Sequence, residues 1–232
     1  MTGTAASGLL VVPANNTTMQ PELDALCPGL APFSVARVRR PPRTLVVDDL
    51  PAYADSTMEA VAPFLAGRHP LVVYGCTAAG FLGGPEGNRR MTEALREQTG
   101  ATVVSTSDAM IQVLRHEGVH EVAVVTPYLP AVNDGLRRYL ASEGIAVEVL
   151  KSFLCETTAA LGEITEGQVR DLALRTVTTG TKALFIACSQ LPTLGLVPEL
   201  RARLGIPVWS SIAATARAAS LALPPAQRRE SA

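Results

Sequence analysis

Nowhere in this 232-residue chain does an apolar run approach the roughly 20 residues that cross a bilayer. A membrane-spanning helix is therefore excluded at the level of sequence. Charge of one sign is also missing: the formal net charge is −1 at pH 7. That excludes the basic footprint by which proteins hold nucleic acid or an anionic membrane. The runs Arg37-Val38-Arg39-Arg40 and Arg228-Arg229 are short and read as solvated surface or tail. Histidine occurs only at His69, His116 and His120, at helix or loop ends, and no cysteine has a C-x-x-C neighbour. No metal-ligand spacing results. Neither a G-x-G-x-x-G nor a Walker A pattern is present. The glycine-rich stretch Gly80 to Gly87 lacks the lysine and reads as a flexible loop over a cleft. Met1 to Gly8 lack the charged start and cleavage site of a secretory signal and read as a disordered tip. The expected location is cytoplasmic, where thiols stay reduced.

What is there is apolar: 47% of the residues, against 18% charged. That balance suits an α/β protein with a sizeable core, either one large domain or two lobes of about 110 residues each. Strand-like runs alternate with helical stretches. Strands are predicted at 9–12, 44–47, 71–75, 101–104, 122–125, 146–150, 183–187 and 207–209. Helices are predicted at about 56–67, 86–100, 107–116, 131–144, 166–180, 198–205 and 211–223, with Gly100 and Gly144 as stops. Such alternation implies parallel sheets covered on both faces.

The pattern occurs twice. Val12-Pro13 matches Thr126-Pro127. Gly75-Cys76-Thr77 matches Ala187-Cys188-Ser189. Leu95-Arg96 through Gly100 to Ser105-Thr106 matches Leu200-Arg201 through Gly205 to Ser210-Ser211. Three registers in one order predict two pseudo-symmetric lobes: residues 1–117, joined by the C-terminal helix at about 211–232, and residues 118–210. Ligands of open α/β sheets sit beyond the carboxyl ends of the strands. Both Cys76 and Cys188 lie at such ends, as do Asn15-Asn16-Thr17-Thr18 and Tyr128. Paired thiols in one cleft are suited to proton or covalent chemistry at carbon. Backbone N–H groups and a helix N-terminus after each strand would favour the thiolate. Cys27 and Cys155 lack this setting and read as structural. Asn16 and Thr17 are equally readable as a turn or cap and as donors to a substrate carboxylate. Tyr128 is equally readable as core packing and as a donor.

At these residues the chain resembles the aspartate/glutamate racemase superfamily, in the branch of maleate cis–trans isomerases and arylmalonate decarboxylases. The segments are Val12-Pro13-Ala14-Asn15-Asn16-Thr17-Thr18-Met19, Tyr74-Gly75-Cys76-Thr77, Thr126-Pro127-Tyr128 with Asn133, and Cys188-Ser189-Gln190-Leu191-Pro192-Thr193. The resemblance runs from about residue 9 to 220. It implies two flavodoxin-like lobes, a site between them, no cofactor, a small carboxylic-acid substrate and, by analogy, a homo-oligomer. The decarboxylases carry Gly where Cys76 stands; the isomerases and racemases keep both thiols. The isomerase branch implies that Cys76 adds to the double bond of maleate and that Cys188 handles the proton. Asn16, Thr17, Tyr128 and the groups at Thr77 and Ser189 would hold the carboxylates. The isomerases place an Asn where this chain has Thr158, whose hydroxyl would bind the substrate in its place with a shorter reach; this leaves open another dicarboxylate, an amino-acid or hydantoin racemase, an arylmalonate-type decarboxylase, or a non-catalytic acid-binding protein.

Overall fold

The continuous apolar runs become central strands, because a strand covered on both faces has no polar side to show. The computed structural model describes residues 8–30, 32–67 and 69–223. The N-terminal tip and Arg228-Arg229 lie outside the described residues. Four parallel strands, β1 (Leu9–Pro13), β2 (Ser34–Val38), β3 (Leu71–Tyr74) and β4 (Thr102–Ser105), pair in the order β2-β1-β3-β4. Four more, β5 (Glu121–Thr126), β6 (Ala146–Ser152), β7 (Leu184–Ile186) and β8 (Val208–Ser210), pair in the order β6-β5-β7-β8. The two sheets thus share one topology.

The helices are α1 (Met19–Leu26), α2 (Leu50–Val61), α3 (Thr77–Leu82), α4 (Gly84–Thr99), α5 (Thr106–His116), α6 (Pro130–Ser142), α7 (Thr158–Gly162), α8 (Glu166–Thr176), α9 (Leu196–Leu204) and α10 (Ser211–Ala222). The closing helix α10 packs on α1, α5, β3 and β4 of the first sheet. No described helix is long and apolar enough to cross a membrane.

The repeat survives in atomic detail. Gly100 ends α4 with φ +66° and Gly205 ends α9 with φ +64°, the left-handed stop that glycine adopts without a Cβ clash. Arg96 and Arg201, on those two helices, donate to the carbonyls of Val103 and Val208. Ser105 and Ser210 then cap α5 and α10, accepting from the N–H groups of Asp108 and Ala213.

Several local expectations are corrected. Residues 44–47 form no strand. The Asp49 carboxylate accepts from the Val46 N–H and pairs with Arg43, pulling the chain into a 3-10 turn at Val47–Asp49. The second strand is instead Ser34–Val38, an edge strand whose alternation of buried Ala36 and Val38 with exposed Arg37 hides it from a search for apolar runs. The stretch from Gly80 to Gly87 is not a loop over the cleft but helix, broken only at Gly83. Gly80 serves close packing: a Cβ there would stand 2.3 Å from the Ser107 hydroxyl on α5. The helix expected to reach Gly180 ends at Thr176, and the one expected from Ser56 starts at Leu50.

Candidate active site

Each thiol is delivered by a buried central strand. β3 is followed by Gly75, whose N–H donates to Val11 O at 2.8 Å, and β7 by Ala187, whose N–H donates to Val125 O at 2.8 Å. A Cβ on Gly75 would stand 2.6 Å from Met19 Sδ and 2.7 Å from a Val12 methyl, so glycine is what lets the strand pass and present Cys76. Cys76 is the N-cap of α3. Cys188 opens a turn rather than a helix, correcting the expected helix N-terminus, and its sulfur takes the Gln190 N–H at 3.4 Å. Both cysteines are free thiols and both are buried.

The loop after Cys188 is bolted across the cleft to the first lobe. The Ser189 N–H donates to Thr77 Oγ1 at 3.2 Å, and its hydroxyl to Gly75 O at 2.6 Å. Asn16 donates through Nδ2 to Ser189 O and Oγ, at 3.2 and 3.1 Å. Its Oδ1 accepts from the Thr18 and Met19 N–H groups at the start of α1. The capping reading of Asn16 therefore holds, while its amide hydrogens go to Ser189 across the cleft. Gln190 exchanges two hydrogen bonds with Asn15. Glu22 accepts from the Thr193 N–H at 2.8 Å. On the opposite side, the carbonyl of Tyr128 is held by Asn133 Nδ2 and the Ser152 hydroxyl. The Tyr128 ring meets Phe81 edge-on at 5.7 Å.

Cys76, Cys188, Asn16, Thr77, Tyr128 and Ser189 line one cavity, joined by Arg40, Thr44, Leu161 and Gln190. The free space among them is about 20 Å³, room for a single water. Thr17 is exposed and Thr158 half-buried, and both lie outside this lining. Thr158 instead donates through its N–H and hydroxyl to Pro42 O, and Arg43 bridges to Thr157. These contacts clasp the segment around residues 40–45 to α7 over the thiols. Pro42 and Arg43 of this clasp are exposed, while Thr44 and Leu45 behind them are buried. None of the three histidines lines the cavity.

Two residues escaped the reading of the sequence. Tyr53 on α2 is buried beside Cys76. Its hydroxyl meets no partner at hydrogen-bonding geometry, and burial with the neighbouring Cys76 holds its proton on. Arg40 was expected to be solvated. The edge strand β2 ends at Val38 and the chain bends at Pro42; between them Arg40 reaches the cavity, with its Nε buried. No motif marks either residue; only their nearness to the thiols does.

Burial pushes the Cys188 thiol up from 9.0 to about 11, against the Gln190 N–H and the Tyr128 hydroxyl, which favour the thiolate. Burial thus favours the neutral S–H of Cys188 at pH 7. Below pH 9 the thiol is protonated in both folded and unfolded chains. Between pH 9 and 11 only the unfolded chain ionises it, so the folded state loses stability, on the order of 2–3 kcal/mol from this group. Denaturant unfolding at pH 8 and pH 11 is expected to show a smaller alkaline loss for Cys188→Ala than for the wild type.

A family model described as arylmalonate decarboxylase matches residues 5–231. A maleate isomerase of Nocardia farcinica is 33% identical over 221 residues, covering 91% of this chain and 87% of that protein. An arylmalonate decarboxylase of Bordetella bronchiseptica is 29% identical, covering 89% and 82%. A solved structure of a cysteine-to-serine mutant of the Nocardia farcinica maleate cis-trans isomerase, with a covalently bound succinylcysteine intermediate, superposes with a TM-score of 0.82. It is 28% identical and covers 94% of both chains. With the match spanning both lobes and both cysteines, the chain belongs to the arylmalonate decarboxylase family.

Proposed function

We propose that the chain is a cis–trans isomerase of a small dicarboxylate, converting maleate to fumarate with two thiols and no cofactor. The observation that carries the reading is that two free cysteines, on equivalent strand ends, line one closed cavity. The succinylcysteine held by a related isomerase supports covalent chemistry on such a framework.

The Cys76 thiolate adds to one alkene carbon of maleate, forming a C–S bond. The π electrons move to the other alkene carbon and into its carboxylate. Cys188 gives its proton to that carbon, leaving a succinyl group on Cys76. The former double bond is now single and rotates. The Cys188 thiolate then takes a proton back from the same carbon, the C–S bond breaks, and fumarate leaves with Cys76 restored as thiolate. Atoms and electrons balance without an added reagent. Tyr128, whose hydroxyl reaches Cys188 and is kept protonated by burial, supports the thiolate as it forms.

Proton NMR of the purified protein with maleate is expected to show the alkene resonance of maleate replaced by that of fumarate. Reduced, folded protein that leaves maleate untouched overturns the reading. The family match favours a second one, decarboxylation of an arylmalonate through Cys188 alone. It requires CO₂ release that survives Cys76→Ala and vanishes in Cys188→Ala.

A further inference from the structure

Several polar groups in and around the cavity, Asn16 and Ser189 among the expected carboxylate donors, are committed within the protein. Asn16 gives its amide hydrogens to Ser189, Ser189 gives its hydroxyl to Gly75 O, and Gln190 is paired with Asn15. Thr158 is turned to Pro42 and Thr17 faces out. Among the described residues lining the cavity, Arg40 alone carries a fully buried side-chain nitrogen or oxygen without a hydrogen-bond partner, its Nε. One arm of the guanidinium is anchored by donation from Nη2 to Arg43 O at 2.8 Å. The nearby carboxylate of Asp49 is taken by Arg43 in a two-pronged pair, leaving Arg40 in no ion pair among the described residues. Its neighbours in sequence do different work: Arg37 props the Asn16 carbonyl at 2.9 Å, and Arg39 is exposed.

We infer that Arg40 is a substrate-binding residue: its guanidinium pairs with a substrate carboxylate and makes the site selective for dianionic over monoanionic acids. This deepens, and rests on, the reading of the site as one for small carboxylic acids. A buried N–H on an ionised side chain is costly to leave unpaired, and a carboxylate is the acceptor that a guanidinium matches best. Arg40 also lines an outer hollow of about 250 Å³ with Tyr53 and Asp49. The cation therefore stands between the outer hollow and the thiols, on the segment clasped to α7, where it meets an entering anion first. Its charge favours ionisation of Cys188, which places it within electrostatic reach of the reacting groups. It also takes over the task that the resemblance assigns to an Asn at Thr158, which faces away.

Succinate and its monoamide, succinamate, have similar shape, differ by one charge and have no double bond to react. Calorimetric titration of the wild type is expected to show succinate binding the tighter. Arg40→Gln is expected to weaken succinate about 10- to 100-fold while leaving succinamate little changed. Added guanidinium ion is expected to restore part of the loss. Equal weakening of both ligands would show a structural role and overturn the inference. So would unchanged succinate binding in Arg40→Gln, or a wild type that does not prefer the dianion. A wild type that prefers succinate through Arg40 but leaves maleate untouched overturns the isomerase reading and not this one.

Discussion

Cys188→Ser incubated with maleate is expected to gain the mass of one maleic acid on Cys76 and to release fumarate about 10²- to 10⁴-fold more slowly than the wild type. Cys76→Ala is expected to gain no mass and to lose at least about 10⁴-fold in turnover, because the covalent route is gone. The asymmetry comes from the surroundings of the two sulfurs. Cys188 lies in a turn, buried, with its proton held up to about pH 11, which suits delivery to and removal from carbon. Cys76 sits on the N-cap of α3, against the unpartnered hydroxyl of Tyr53. A serine at 188 keeps the shape but does not readily take the proton back from carbon, so an adduct protonated from water accumulates and stalls. Intact-mass spectrometry with peptide mapping reads the result. An adduct found on Cys188 in the Cys76→Ala protein would reverse the assigned roles.

The second large effect belongs to Asn16, which touches two systems at once. Asn16→Ala removes the acceptor that caps α1, worth about 1 kcal/mol, and two buried bonds to Ser189, worth about 1 kcal/mol each. A loss of roughly 2–4 kcal/mol is expected, seen as a Tm lowered by roughly 5–15 °C. Activity is expected to fall more than about 100-fold, because Ser189 adjoins Cys188 and a 1 Å misplacement there is enough. Asn16→Ser separates the two parts. The shorter hydroxyl still accepts from the start of α1 but does not reach Ser189. Asn16→Ser is therefore expected to recover part of the Tm and none of the activity. Recovery of both would reduce Asn16 to a cap.

Much of this molecule was readable in its sequence. The runs at 9–12, 71–74 and 122–125 are central strands because burial on both faces demands unbroken apolar residues. Gly100 and Gly205 marked equivalent helix ends because a left-handed stop is a local requirement. The edge strand at Ser34–Val38 was missed because an edge needs only one apolar face, and 44–47 was misread because a carboxylate on Asp49 outcompetes strand pairing for the Val46 N–H. Gly80 suggested flexibility when it marks tight packing against Ser107, a neighbour 27 positions away in the chain.

The sequence by itself determined the two-lobed α/β plan and the two strand-ended thiols, since strand, stop and thiol are written in adjacent residues. Only the tertiary structure decided which polar groups remain free to meet a substrate. Asn16 and Ser189 are 173 positions apart, Asn15 and Gln190 are 175 apart, and each pair consumes the donors its own motif seems to offer. Arg40 is half-buried with its Nε fully so, beside a bend at Pro42 and the clasp to α7. Hydrogen-bond satisfaction is a property of the packed interior, so a short motif names the candidates and the fold settles which of them are spent.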